Sequence, residues 1–318
     1  MIKKLFVFFI CLLNVSIGYG MTDLPVQSAE ELFEATKIVC SGISDEIAKV
    51  SKISKVNTAV TAVGTVAAGG ALAAGIAKSY EEQEIDRLVE QICNAGGCTS
   101  EGVEAMSNED FFNNVITPMA QIAELQRRLD KSKKLGNWRT GLMAGTIGTN
   151  LASAIISGVN RSQSELIQHI QACNEMVESV NYASLQLKAA GVSPMENKIV
   201  KDLDNVKTWC NKIDIKDIEK IEKRMTGVMG TSIAGGVIGV VGTVASAEAN
   251  SNEYMNMENR LSLTESETNK KNSLNTTANV MAGANVATGL VETGLNISLI
   301  TLTKRLMQQA ELCEEILK

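Results

Sequence analysis

Four stretches of this chain carry no charge and little bulk. They cover residues 56–77, 140–160, 225–247 and, less cleanly, 272–291 running past Glu292 to 303. In each, small residues recur at every fourth position. The first row is Thr61, Thr65, Gly69, Ala73 and Ala77; the second is Gly141, Gly145, Thr149, Ser153 and Ser157. The third is Gly227, Thr231, Gly235, Gly239, Thr243 and Ala247, and the fourth is weaker, with only the separate pairs Ala278–Ala282 and Gly283–Ala287. A row at i+4 lies nearly along one helix face, and without bulk it lets a second backbone come close.

The third stretch holds six glycines. At roughly 1 kcal/mol each relative to alanine, an isolated helix there is disfavoured by about 5–6 kcal/mol. Close helix packing, or a membrane that forbids unpaired backbone, must offset that. The rows are therefore expected to drive self-association, within the chain or between copies.

Each stretch has the length to cross a bilayer, but Gly, Thr, Ser and Asn give little insertion energy. Basic residues precede every stretch: Lys49, Lys52 and Lys55; Lys133, Lys134 and Arg139; Lys220, Lys223 and Arg224; Lys270 and Lys271. An ordinary multi-pass protein alternates its basic flanks before and after successive spans. The pattern argues against a four-pass protein and leaves the third stretch as the best single span. Trp138 stands just before the second stretch, where an interfacial anchor would sit.

The segments between are charged and helical in period. Phe33, Thr36, Cys40, Ile43, Ile47 and Val50 follow alternating steps of three and four, as do Leu166, Ile170, Cys173, Val177 and Val180. The same steps connect Ile199, Leu203, Val206, Cys210 and Ile213, then Leu302, Leu306, Gln309, Cys313 and Ile316. This is the narrow seam of coiled-coil or short-bundle packing. No strand alternation of comparable length appears, and three prolines suit long helices. The expected fold is all-α: amphipathic helices alternating with small-residue helices in a duplicated helical-hairpin bundle. Its halves are 21–190 and 191–318, meeting at a polar linker that contains Gly191 and Pro194.

Residues 1–20 read as a secretory signal, with Lys3 and Lys4, an apolar run, and Gly18-Tyr19-Gly20 before the cut. The expectation is export to the envelope, periplasm or extracellular space, with membrane association. Removing the signal takes two of the 30 basic residues, leaving 28 against 36 acidic ones, a charge of −8. That balance gives no basic surface for nucleic acid. Six cysteines remain: Cys40, Cys93, Cys98, Cys173, Cys210 and Cys313. In an exported chain they are candidate disulfides, and six cysteines allow fifteen full pairings. A local Cys93–Cys98 bridge would close the Gly96-Gly97 turn.

Catalytic and metal chemistry find little here. The single histidine, His169, lies four residues before Cys173, which occupies the apolar seam. One histidine completes no common metal set, so the pair reads as packing. Neither a phosphate-binding loop nor H-E-x-x-H occurs. The expectation is a non-enzymatic protein without cofactor or metal. It would associate with copies of itself, or with partners of unstated identity, at or in a membrane; the alternative is a soluble disulfide-bonded bundle with a binding role. Long helices broken by Gly/Ala-rich apolar segments resemble the general plan of helical pore-forming toxins, a resemblance of pattern that rests on no specific motif. Asn160, Asn275 and Asn296 begin glycosylation triplets, relevant only in a eukaryotic secretory route.

Overall fold

The computed structural model describes residues 23–94, 117–161, 164–194, 197–211 and 213–318. The signal segment, Cys11 and Cys98 lie outside them. Among the described residues every regular element is a helix, and the fold is all-α. In chain order these are α1 (Asp23–Cys40), α2 (Ile43–Asn94), α3 (Thr117–Arg161), α4 (Ser164–Ala189), α5 (Lys198–Cys210), α6 (Ile215–Ala249), α7 (Asn252–Met255), α8 (Met257–Ser262) and α9 (Glu265–Ile316).

Local chemistry sets several of the ends. Gly191 takes φ +85° after α4. Its N–H bonds the Lys188 carbonyl while the Val192 N–H reaches Leu187, the paired closure that uses up last-turn carbonyls. Asn197 caps α5 by accepting from the Ile199 N–H. Before α9, Thr264 and Glu267 form a reciprocal capping box: the Thr264 N–H reaches the carboxylate and the Glu267 N–H reaches the hydroxyl.

The chain forms two compact units. Of the described residues, unit 1 gathers those up to 49, those from 164 to 219 and 302–318; unit 2 gathers those from 50 to 161 and 220–301.

In unit 1, α4 packs against both α1 and α5. Its interior follows the seams read from the sequence on α1, the start of α2, α4 and α5: Thr36, Cys40, Ile43 and Ile47 are buried, as are Leu166, Ile170, Cys173, Val177 and Val180. So are Ile199, Leu203, Val206, Cys210 and Ile213. On α9 and just past its end the buried stripe is Thr303, Leu306, Ala310, Cys313 and Leu317, which keeps Leu306 and Cys313 of the expected seam but replaces Leu302, Gln309 and Ile316 by their neighbours. Disulfides join Cys40 to Cys173 and Cys210 to Cys313. Cys93, in unit 2, is also disulfide-bonded.

Unit 2 is an up-down-up-down arrangement of α2, α3, α6 and α9. Neighbours run antiparallel, because partner numbers fall as residue numbers rise: Asn57 meets Ser157 whereas Glu82 meets Ser132. The same holds for Ser153–Ser232 and Arg139–Ser246 between α3 and α6, and for Thr61–Glu292 and Glu82–Lys271 between α2 and α9.

Candidate functional site

Within unit 2 the burial pattern inverts along the same helix. At the C-terminal end of α2, Ile85, Leu88 and Ile92 pack inward on Leu125 and Leu129 of α3, an ordinary apolar core. Through residues 56–77 the inward positions are instead Asn57, Thr61, Gly64, Ala68, Ala71 and Gly75, while Val56, Val63, Val66 and Ile76 face outward. Val66 is 76 % exposed.

The other three helices behave alike. On α3, Thr146, Ser153 and Ser157 are buried and Leu151 and Ile155 are exposed. On α6, Ser232 and Gly235, Gly236, Gly239 and Gly242 are buried, while Ile233, Val237, Val240, Val241 and Val244 are exposed. On α9, Asn275, Asn285, Glu292 and Asn296 are buried, while Val280, Leu290, Val291 and Ile297 are exposed. Unit 2 thus wears a belt of Val, Ile and Leu around a core of hydroxyls, amides, glycine backbone and alanines, with one small apolar cluster of Ala71, Met143 and Ala282. Burial at Asn275 and Asn296 also removes two of the glycosylation triplets from any folded-state modification.

The interior rows step by alternating threes and fours, as in 57, 61, 64, 68, 71 and 75, not by fours alone. Four residues advance a helix by 400°, about 40° past a full turn, so a row of fours drifts around the cylinder. The first row accordingly starts inside at Thr61, reaches Thr65 at the Gly289 backbone, and leaves the core at Gly69 and exposed Ala73. The second does the reverse. Gly141 and Gly145 are open, Thr149 fills the space over Gly64, and Ser153 is buried. In the third, a Cβ at Gly227 would touch Leu295, at Gly235 it would meet Asn150 at 2.6 Å, and at Gly239 Ile147 at 2.8 Å. Thr231 turns its hydroxyl onto its own helix, and Thr243 is half-buried.

A dense polar cluster closes one rim of the belt. Arg139 donates to Ser246 (2.8 Å), Asn279 (3.1 Å) and Asn275 (3.0 Å). Lys78 reaches the Ala249 carbonyl and Asn250, and Glu82 accepts from Lys271 (2.7 Å), Arg260 (3.0 Å) and Ser132 (2.5 Å). Buried charges of this kind persist only when paired or fully hydrogen-bonded. Tyr80 and Trp138 stand exposed beside this rim, Trp138 at 71 %.

Three segments are long and apolar enough to cross a membrane, lying within Ser28–Asn94, Lys216–Ala249 and Glu265–Ile316. The sequence favours the third stretch as the best single span, and the structure adds the helices that carry the first and fourth. Around the other candidate chemistry, Cys173 is committed to its disulfide and leaves no thiol beside His169. His169 lies instead with Nε2 at 2.7 Å from the Val39 carbonyl and Nδ1 at 3.3 Å from Glu46. Among the described residues no three His, Cys, Asp or Glu side chains converge as a metal set. No protein-family model, curated protein or solved structure matches the chain.

Proposed function

We propose that this chain is an exported, non-enzymatic membrane protein that acts through helix association, with unit 2 entering a bilayer as a four-helix bundle. The observation that carries this reading is the inverted burial of unit 2, with aliphatic side chains outward and hydrogen-bonding groups inward. In water that arrangement leaves the apolar surface exposed; in lipid it satisfies both surfaces at once. The 22 uncharged residues 56–77 rise about 33 Å, against a hydrocarbon core of about 30 Å. Exposed Tyr80 and Trp138 at one rim suit a membrane interface.

The cysteines bear on the order of events. Cys40 precedes the 56–77 segment in the chain and Cys93 follows it, and both are disulfide-bonded. Disulfides on both sides of a span require both sides to pass through an oxidising compartment. Export and folding of the whole chain before insertion meets that requirement. The basic-flank pattern orients spans during synthesis, so it sets no constraint on a chain that meets its membrane later.

One observation favours the soluble alternative. The α3 stretch is not among the apolar segments, and Gly141, Ala144, Gly145 and Gly148 form its exposed side. In that reading a second copy covers the belt in water.

Flotation of the oxidised chain with liposomes, followed by an alkaline carbonate wash, separates the two. Retention, with quenching of Trp138 by brominated lipid in a Trp209→Phe background, is the expected result. Full release without quenching overturns the bilayer reading. Val237→Asp, 60 % exposed in the belt, would cost about 2.5–3.5 kcal/mol in a bilayer. It should therefore lower the membrane partition constant by roughly 100-fold while leaving the helical content intact.

A further inference from the structure

Glu292 is 1 % exposed, in the middle of the belt. Among the described residues no lysine or arginine lies within ion-pair distance of it. Its carboxylate meets only hydroxyls: Thr61 Oγ1 at 2.9 Å and Ser153 Oγ. Those hydroxyls are themselves shared. Thr61 also points at the Asn57 carbonyl at 2.9 Å, and Ser232 Oγ lies 3.0 Å from Ser153 Oγ and 2.8 Å from the Val228 carbonyl.

Counting hydrogens makes the cluster short of positive charge. Five oxygen–oxygen contacts connect the group, and only the Thr61, Ser153 and Ser232 hydroxyls bring a proton, one each. Two contacts are left with lone pairs facing each other beside a buried anion. One helical turn away, a cavity of about 10 Å³ is lined by Ser54, Asn57, Ser157 and Asn296. Ser54 Oγ, Asn57 Oδ1 and Asn296 Nδ2 have no hydrogen-bond partner there, although all three residues are buried. The space suits one water, and the unpartnered groups around it would hold that water.

We propose that Glu292, Thr61, Ser153 and Ser232 form a binding site for one monovalent cation of the sodium type, hydrated from the adjoining cavity. The ligand class follows from the donors. All are oxygens, which suits a hard cation and not a soft transition metal. One carboxylate neutralises one positive charge, and divalent sites recruit further carboxylates or waters. A neutral ion–carboxylate pair removes the penalty of an isolated buried charge. The site is internal to unit 2 and does not depend on what covers the belt.

The test is thermal unfolding of the full exported chain in detergent, at mildly alkaline pH, with sodium chloride against equal choline chloride. Sodium at a hundredfold above half-saturation should raise the midpoint by about 5 °C, saturably. Equilibrium dialysis with radiolabelled sodium should find one ion per chain, and Glu292→Gln should abolish both signals. Ser232→Ala keeps the carboxylate and should weaken sodium at least fivefold, which decides the matter if Glu292→Gln fails to fold. Equal midpoints in sodium and choline overturn the site. A midpoint that responds to pH but not to sodium also overturns it, and assigns the missing positive charge to a proton.

Discussion

The backbone N–H and the hydroxyl of Ser44 both end on one carboxylate, that of Glu314, at 3.0 and 2.6 Å across 270 residues of chain. Ser44 is in the first turn of α2, where the N–H groups have no acceptor within the helix. A carboxylate there also meets the positive end of the helix dipole. Cys313, tied to Cys210, holds the neighbouring Glu314 in place. Glu314→Ala should lower unfolding free energy by about 1–2 kcal/mol in urea titration, and Glu314→Gln by about half of that.

Two glycines on different faces should respond with opposite sign. A Cβ at Gly239 would press on Ile147 at 2.8 Å, whereas nothing lies within 4 Å of one at Gly141. Gly239→Ala should destabilise by about 1–3 kcal/mol through overpacking. Gly141→Ala should stabilise by about 0.5–1 kcal/mol, since it only stiffens the helix. Thermal unfolding of the two variants beside the parent reads both.

The disulfides link positions 133 and 103 residues apart, so each constrains a long loop of the unfolded chain. Replacing Cys210 and Cys313 together with serine should cost about 2–4 kcal/mol. The urea midpoint of the parent should fall on adding reductant, and that of the double variant should fall less. Alkylation and mass measurement of the parent should find Cys40, Cys173, Cys210 and Cys313 protected until it is reduced.

Asp204 supplies an acid-dependent contribution in unit 1. Partial burial alone would raise its carboxyl, but hydrogen bonds from Lys188 and Ser184 overcome that and hold it below the usual carboxylate range. A lowered folded-state value means the unfolded chain binds the proton more readily. The contribution is therefore present above the ordinary aspartate range, near pH 4, and lost as pH falls through the folded-state value. For so accessible a pair it should stay under about 1 kcal/mol. In Lys188→Met the acid limb of a stability–pH profile should flatten.

Much of this architecture was legible locally. The steps through Cys40, Ile43 and Ile47, or Leu203, Val206 and Cys210, mark buried seams because apolar side chains at 3.5-residue spacing have one face to hide. The inversion in unit 2 was not legible in the same way. The four-residue rows include inward Thr61 and Gly239 but run out to exposed Ala73 and Gly141, because each step drifts about 40°. The row that does face inward continues the heptad spacing with Asn57, Thr61 and Gly64. Glu292 stands in the sequence as a lone charge interrupting an uncharged stretch, although Asn285 and Asn296 share its spacing.

The sequence by itself determined an all-helical chain, three of its four seams and the break at the linker with Gly191, since spacing and turn chemistry act within a few residues. Tertiary structure alone decided that Cys40 pairs with Cys173 and Cys210 with Cys313, from among fifteen full pairings. It also decided that valines face out while Glu292 and its hydroxyls face in. Both outcomes depend on which helices meet and which face each presents, and those relations couple residues more than a hundred positions apart.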